Sequence, residues 1–345
     1  MKSKFFNIPL ICAFFLLAAP FAKAASAEDS TKDPKEKAKE AILEHIGDSH
    51  SWPVIGKTTI ALPVILYTDK GLEVFSSKKI EEEGSIYAGT NYSYKLEGNK
   101  VKVVDASGKI DEVTSKKVWD FSITRNVISL WMSAIILLLV FFGVSGAYKK
   151  RINKAPKGLQ SFLEPLIVFI RDDVAIPNVG FKYARFMPLL LTIFFFILIN
   201  NLLGIVPFFP GGYNLTGNIA VTGTLAVIIL FVVNLNGNKY YWKHIFLPEV
   251  PFWILPIMWI VEIVGIFSKP IALMIRLFAN MTAGHIVALS LISLIFIFGT
   301  LWISPVSVGF VVFMDVIEVL IAFLQAYIFT LLSALFIGMA VMEHH

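Results

Sequence analysis

The chain has 345 residues, 56% of them apolar and only 16% charged, with a formal net charge of +5. Soluble domains run at roughly half apolar and a quarter charged, so an ordinary soluble enzyme is excluded, and a charge this modest is no nucleic-acid signal. The apolar excess lies after residue 125, in runs longer than the roughly 20 residues needed to cross a bilayer, and a polar third precedes it.

The first residues have the layout of a secretory signal peptide. Lys2 and Lys4 precede an apolar core over residues 5–19, and Ala22-Lys23-Ala24 and Ala25-Ser26-Ala27 are small-x-small cleavage sites. The alternative is an uncleaved N-terminal anchor. The single cysteine, Cys12, lies inside this segment, so cleavage removes every possibility of a disulfide or a cysteine metal site. Three regions follow: a signal segment at 1–27, a periplasmic region at 28–122 and a membrane domain at 123–345. Residues 28–42 are charged and without apolar periodicity, which predicts disorder or a frayed helix. Residues 59–67 are rich in β-formers. Tyr92-Ser93-Tyr94-Lys95-Leu96 and Val101-Lys102-Val103-Val104 bracket Glu97-Gly98-Asn99, a predicted hairpin. His45 and His50 are expected to be solvated loop residues rather than metal ligands.

The first span is expected at residues 127–144. Lys149, Lys150, Arg151, Lys154 and Lys157 follow it, which makes that end cytoplasmic by the positive-inside rule and agrees with an exported N-terminus. Residues 158–170 place Leu159, Phe162, Leu163, Leu166 and Ile170 near one face, predicting an amphipathic helix on the cytoplasmic surface. A second span at 186–206 ends in Pro207, Pro210, Gly211 and Gly212, a turn signal, and a third at 218–235 returns inward. Residues 252–302 are apolar with hardly a break. At 1.5 Å per residue they reach about 75 Å, far more than the ~30 Å hydrocarbon core, so they form two short spans or one strongly tilted helix. The last segment, from Ser304 to about residue 342, is also longer than a simple span. The sum is an all-α membrane protein with about five crossings and a small β-rich periplasmic region.

The two final segments hold Glu262, Lys269, Arg276, His285, Asp315 and Glu318 where lipid disfavours charge. A charge at the bilayer centre costs about 3 kcal/mol on insertion scales, so such groups face a partner, a cavity or an ion path. Glu262, Lys269 and Arg276 are spaced by seven and drift only about 20° per step, so they share a stripe that Asn280 joins. His285, nine residues after Arg276, is turned by about 180° and lies about 13.5 Å further along. Glu318 and Gln325 share a face of the last helix, with Asp315 nearby. Arginine suits a fixed charge, while histidine and glutamate suit proton relay.

The run Ser268-Lys269-Pro270 followed by Arg276-Leu277-Phe278-Ala279-Asn280-Met281-Thr282-Ala283-Gly284-His285 resembles the signature of subunit a of F-type ATP synthases, as does Leu324-Gln325-Ala326-Tyr327-Ile328-Phe329. Asn201, Asn218 and Thr222 match further family positions, and the resemblance covers residues 120–345. Many bacterial members carry glutamate where this chain has His285 and histidine where it has Glu318, so the pair is exchanged here. At Gly204, where some members carry an acid, this chain has none.

The resemblance implies a proton-conducting stator without catalytic activity of its own and without cofactor or metal. Two long tilted helices would curve around a rotor ring of c subunits, in a complex that includes the b-subunit peripheral stalk. The site would be a bacterial inner membrane, with the N-terminus periplasmic and the C-terminus cytoplasmic. It implies Arg276 as the rotor-facing charge, held by hydrogen bonds from Gln325 and Asn280. His285, Glu318, Asn218, Asn201 and Asp315 would line an outer half-channel, and Glu262, Ser268 and Lys269 an inner one. For Glu262 and Lys269, snorkelling to the headgroups is an equal alternative. Two other classes are weighed against this: a secondary transporter with Arg276 as an anion site, which predicts internal repeats that are not found, and a structural membrane scaffold, which needs no ionisable stripe.

Overall fold

The computed structural model of the chain describes residues 47–55, 58–80, 85–97, 100–105, 108–150, 155–206, 211–248, 250–251, 253–298 and 304–341. The expected signal segment, His45 and the hairpin residues Gly98 and Asn99 lie outside them. The chain forms two compact units. One takes the described residues up to Trp131 with Leu203–Tyr213 and Ile286–Asp315; the other takes Met132–Leu202, Asn214–His285 and the described residues from Val316 onward.

The first unit holds the β-rich region. β1 (Ser51–Ile55) and β2 (Thr58–Ala61) form one antiparallel pair. β3 (Pro63–Thr68) lies between β4 (Gly71–Ser76) and β8 (Trp119–Asp120), while β6 (Ser93–Glu97) lies between β5 (Tyr87–Ala88) and β7 (Lys100–Val104). The predicted hairpin is β6–β7, paired from Glu97↔Lys100 to Ser93↔Val104. Alternation along β3 buries Val64 and Leu66, and with Phe75, Ile80, Tyr94 and Val103 they form one core between the two three-stranded sheets. Gly71 closes the β3–β4 turn at φ 125°, a backbone conformation that favours glycine.

His50 departs from expectation. It is buried, with Nε2 3.6 Å from the Asp120 carboxylate, because the β1 segment folds over the end of β8. Burial works against the Asp120 carboxylate, but the neighbouring His50 imidazole and hydrogen bonds from Ser122 outweigh it and hold its pKa below the ordinary value. A depressed carboxylate stabilises the fold above its unfolded pKa, and that contribution is lost as pH falls through the folded one. Asp120→Asn should therefore lower the stability of this domain near neutral pH by about 1 kcal/mol or less, a partly solvated pair being screened. The deficit should vanish below about pH 4. Hydrogen exchange of the β3 amides, followed against pH in the full chain, measures it.

The second unit and the helices that enter it are built on apolar runs. α1 (Arg125–Lys150) is the first span. α2 (Leu159–Phe169) continues through a π-helical segment at Ile170–Ala175 and short turns to Lys182 into α3 (Tyr183–Ile205). A helix thus forms where the surface helix is predicted, but its expected apolar face divides. Leu163 and Ile170 enter the protein core while Leu159 and Phe162 stay exposed, so the helix packs on protein as well as offering an apolar edge. α4 (Ile219–Leu235) has 17 residues, the short end of the spanning range, and a bend of 100° leads into α5 (Lys239–Phe246).

The 252–302 ambiguity resolves as one helix, α6 (Leu255–Phe298), with 44 residues and Pro270 inside it. Proline is tolerated within helices in an apolar setting when neighbouring groups satisfy the freed carbonyl. α7 (Ser304–Val341) has 38 residues. Among the described residues, four helices are long and apolar enough to cross a membrane, or five if α4 and α5 count as one bent span. At about 66 and 57 Å, α6 and α7 each exceed the ~30 Å hydrocarbon core, a mismatch that tilting accommodates. The core of this unit joins Phe186, Leu190, Phe194 and Ile197 of α3 with Ile229, Leu273, Leu277, Ala326 and Phe329.

The end of α7 is tied down. Other segments hydrogen-bond its last described carbonyls: Lys182 Nζ and Asn238 Nδ2 donate to the Val341 oxygen at 3.2 and 2.6 Å, and the Asn238 N–H donates to the Ala340 oxygen at 2.8 Å. Gly338 lies so close to the turn at Ile176–Val179 that any Cβ there would collide with the carbonyl oxygen of Asn178.

Candidate functional site

Four elements of the second unit meet in a band of polar groups inside an otherwise apolar bundle. Asn201, near the end of α3, is fully buried. Its Nδ2 donates to the Ala322 carbonyl of α7 at 3.3 Å, and its Oδ1 accepts from the Thr216 hydroxyl at 2.6 Å. Thr216 also lies 2.8 Å from Asn214 Oδ1, which accepts from the Gly217 N–H at 3.1 Å. The Gly217 carbonyl accepts in turn from the Thr282 hydroxyl of α6 at 3.4 Å. Buried amide and hydroxyl groups cost free energy unless hydrogen-bonded, so this chain of partners fixes α3, the turn before α4, α6 and α7 to one another.

Glu318 completes the band from α7. It is buried, and its carboxylate lies against Gly284, the residue before His285: a Cβ on Gly284 would stand 2.7 Å from Glu318 Oε1 and 3.3 Å from Cγ. A glycine at this place lets a carboxylate from one long helix reach the other. His285, next along α6, is half-buried. Ala322 and Ala326, fully buried one turn apart, permit the close packing of α7 on this side, and Gln325 is buried beside them.

The arginine stripe lies elsewhere on α6. Leu273, Leu277 and Met281 make the buried side, while Lys269, Arg276 and Asn280 are exposed and Glu262 is half-buried. Among the described residues, neither Gln325 nor Asn280 hydrogen-bonds Arg276. Arg276 is exposed on α6, while Gln325 is buried within the bundle. Ile271 and Ile275 of α6 and Val319, Leu320 and Phe323 of α7 are also exposed.

Asn218 has a structural role of its own as the cap of α4, its side-chain oxygen accepting from the Ala220 N–H at 2.8 Å. Asp315 is half-buried on α7, one turn before Glu318. Glu262 faces His244 of α5 at 3.7 Å, and the Trp259 indole donates to the Phe246 carbonyl at 2.8 Å, so α5 folds back on the start of α6. Lys269 sits 5.6 Å from the Phe336 ring and lines a cleft with Asn234, Tyr241, Pro270 and Phe336. Ser268 is exposed, its hydroxyl bonded to the Gly265 carbonyl.

Sequence reasoning missed Asn214, Thr216 and Thr282 as members of the polar band, and Asn234 with Tyr241 at the cleft. The one available signal was the alternation Asn214-x-Thr216-x-Asn218 just before an apolar span.

Comparison with known proteins gives two matches along the chain. Residues 127–338 match the family model described as ATP synthase A chain, and residues 41–121 match a domain of unknown function, DUF8433. Similar curated proteins include ATP synthase subunit a of Chloroherpeton thalassium, 54% identical over 228 residues, which are 65% of this chain and 68% of that one. Subunit a of Chlorobium phaeobacteroides strain BS1 is 49% identical over 229 residues, 64% and 66% of the two chains. That of Myxococcus xanthus is 43% identical over 234 residues, 66% and 75%. The matched segment thus spans about two thirds of the length of the first two relatives.

Proposed function

The chain belongs to the ATP synthase A chain family, subunit a of the F-type ATP synthase, and from that membership we propose that it is the proton-conducting stator of the membrane sector. It is a multi-pass membrane protein and a non-catalytic subunit; nucleotide chemistry belongs to other subunits of the complex. Its partners in this reading are a rotor ring of c subunits, lying against the apolar flank of α6 and α7, and the b-subunit peripheral stalk. The N-terminal domain is periplasmic, the C-terminus cytoplasmic and the membrane the bacterial inner membrane, with residues 1–27 as the exported leader.

The observation that carries the reading is the separation of two kinds of polar group on one helix pair. Arg276 stands exposed on α6, while Asn201, Thr216 and Glu318 are buried in the bundle. An exposed cation there stabilises an ionised carboxylate on a passing rotor subunit and repels a proton moving straight along the flank. His285, Glu318, Asn201 and Asn218, with Asp315, serve the outer half-channel; the cleft at Lys269, with Glu262 and Ser268, serves the inner one. Each proton that crosses releases about 2.3 kcal/mol per 100 mV, which the geometry turns into rotation.

Co-purification tests the assignment against a secondary transporter. A ring of small, very apolar subunits should travel with the tagged chain through mild detergent, and the assembled complex in vesicles should acidify them with ATP. A monodisperse chain that transports an anion and brings no ring with it contradicts the proposal.

The contact at Gly284 supplies a second test. In Gly284→Ala the new methyl meets the end of a flexible side chain, so the bundle survives and the Glu318 carboxylate swings away. Complexes should assemble normally and pump about tenfold more slowly, equivalent to about 1.4 kcal/mol of barrier. An unchanged rate would separate the placement of this carboxylate from proton entry.

A further inference from the structure

Among the described residues, one face of the β4–β3–β8 sheet is left uncovered. Strand register fixes its composition. Tyr67 of β3 pairs with Leu72 of β4 and with Trp119 of β8, forming one row. Ile65 pairs with Val74, and the Phe121 N–H donates to the Ile65 carbonyl at 2.9 Å, forming the next. Side chains alternate across a strand, so these six residues point away from Val64, Leu66 and Phe75, which fill the core behind them. Tyr67, Leu72, Val74, Trp119 and Phe121 are each more than half exposed. The Trp119 and Phe121 rings stack with centroids 6.5 Å apart and planes at 12°. Contiguous apolar surface of this kind marks an interaction site.

What covers it is indicated by how the sheet joins the first span. The connection from β8 to α1 is hydrogen-bonded at every second residue. After Phe121, the Ile123 N–H donates to the Pro63 carbonyl at 3.1 Å and the Arg125 N–H to the Ser49 carbonyl at 2.9 Å. The Arg125 guanidinium, buried, donates to the Gly47 carbonyl at 2.9 Å and lies 4.7 Å from the Tyr213 ring. The sheet therefore continues into the membrane helix without slack. Phe121 is four residues before Arg125, at most about 13 Å of extended chain. The headgroup layer on one side of a bilayer is about 5–8 Å deep. Tryptophan and tyrosine concentrate in that layer, and the exposed Lys116 and Lys117 beside Trp119 suit its phosphates.

We propose that this face rests in the headgroup layer of the bilayer on the side where α1 begins, so that the DUF8433 domain is a membrane-surface module. The proposal needs only that α1 spans the membrane, and it stands apart from any role of Arg276.

Spin labels at Leu72→Cys and Val74→Cys test it, in full-length chain carrying Cys12→Ser, in vesicles of phosphatidylethanolamine and phosphatidylglycerol. Lys95→Cys, on the outward side of β6 in the other sheet, is the control. The expected result is a gain in oxygen accessibility and a loss of nickel-chelate accessibility at both face positions relative to the control, in the chain alone and in the assembled complex. Labels as open to the chelate as the control would overturn the proposal. So would labels shielded from both reagents, the signature of cover by protein from this chain, a second copy or another subunit.

Discussion

Replacing Arg276 by alanine is expected to abolish ATP-driven proton pumping in inverted vesicles while the complex still assembles. The side chain is exposed on the flank of α6, so its removal should leave the bundle intact. In the proposed mechanism, what is lost is an interaction with charge on the rotor. Two unit charges about 4 Å apart at an effective dielectric near 20 interact by about 4 kcal/mol, a scale that corresponds to roughly a thousandfold in rate. Lysine should restore only part of the activity, since an ammonium is a compact point charge without the planar fork of a guanidinium. Because Gln325 and Asn280 do not hold Arg276 within the subunit, Gln325→Ala should cost far less than Arg276→Ala. Dye-quenching traces, read beside the subunit composition of the same vesicles, decide the matter. Near-normal coupled pumping by the alanine variant would remove Arg276 from the mechanism.

The second large effect is expected at His285 and Glu318. The Glu318 carboxylate touches α6 at Gly284, so exchanges at 285 and 318 fall on neighbouring positions of two helices. His285→Glu places two carboxylates in one low-dielectric region, and Glu318→His two imidazoles. Like groups repel, and interacting groups titrate as a pair rather than singly. Each single exchange should slow pumping by about tenfold or more, or about 1.4 kcal/mol. Making both restores one acid and one imidazole with their positions reversed, and the double variant should pump faster than the worse single variant. A double-mutant cycle on the pumping rate measures the coupling. Strictly additive losses would mean that the two side chains work independently.

The helical part was legible because its signals are local and strong. Apolar runs marked α1, α3 and α4 to within a few residues, and the ionisable residues of α6 and α7 stood out because lipid disfavours them. The 252–302 run was not decidable by pattern, since Pro256 and Pro270 are compatible with either a break or a continuous helix. The side of α2 was misjudged for a related reason. Leu159, Phe162, Leu163 and Ile170 fall within one broad arc, and only the partner helices decide which edge of it is buried. His50 and Thr216 illustrate the remaining gap. One is buried against Asp120, seventy residues along, and the other holds Asn201 from the far side of a turn. Contacts of that range leave no periodicity in the chain.

The tied end of α7 has a mechanical consequence. A rotor turning against a stator pushes sideways on it, and a helix secured only by its side chains would yield along its length before transmitting torque. Here the far end of α7 is clamped: the Val341 oxygen accepts from both Lys182 and Asn238, and Gly338 leaves no clearance above Asn178. The start of α7 is held as well, the buried Ser307 hydroxyl donating to the Leu291 carbonyl of α6. On the proposed reading, thrust applied along its exposed flank would pass through this anchorage into the segments leading to α3 and α5, which would share the reaction force instead of leaving it to one interface.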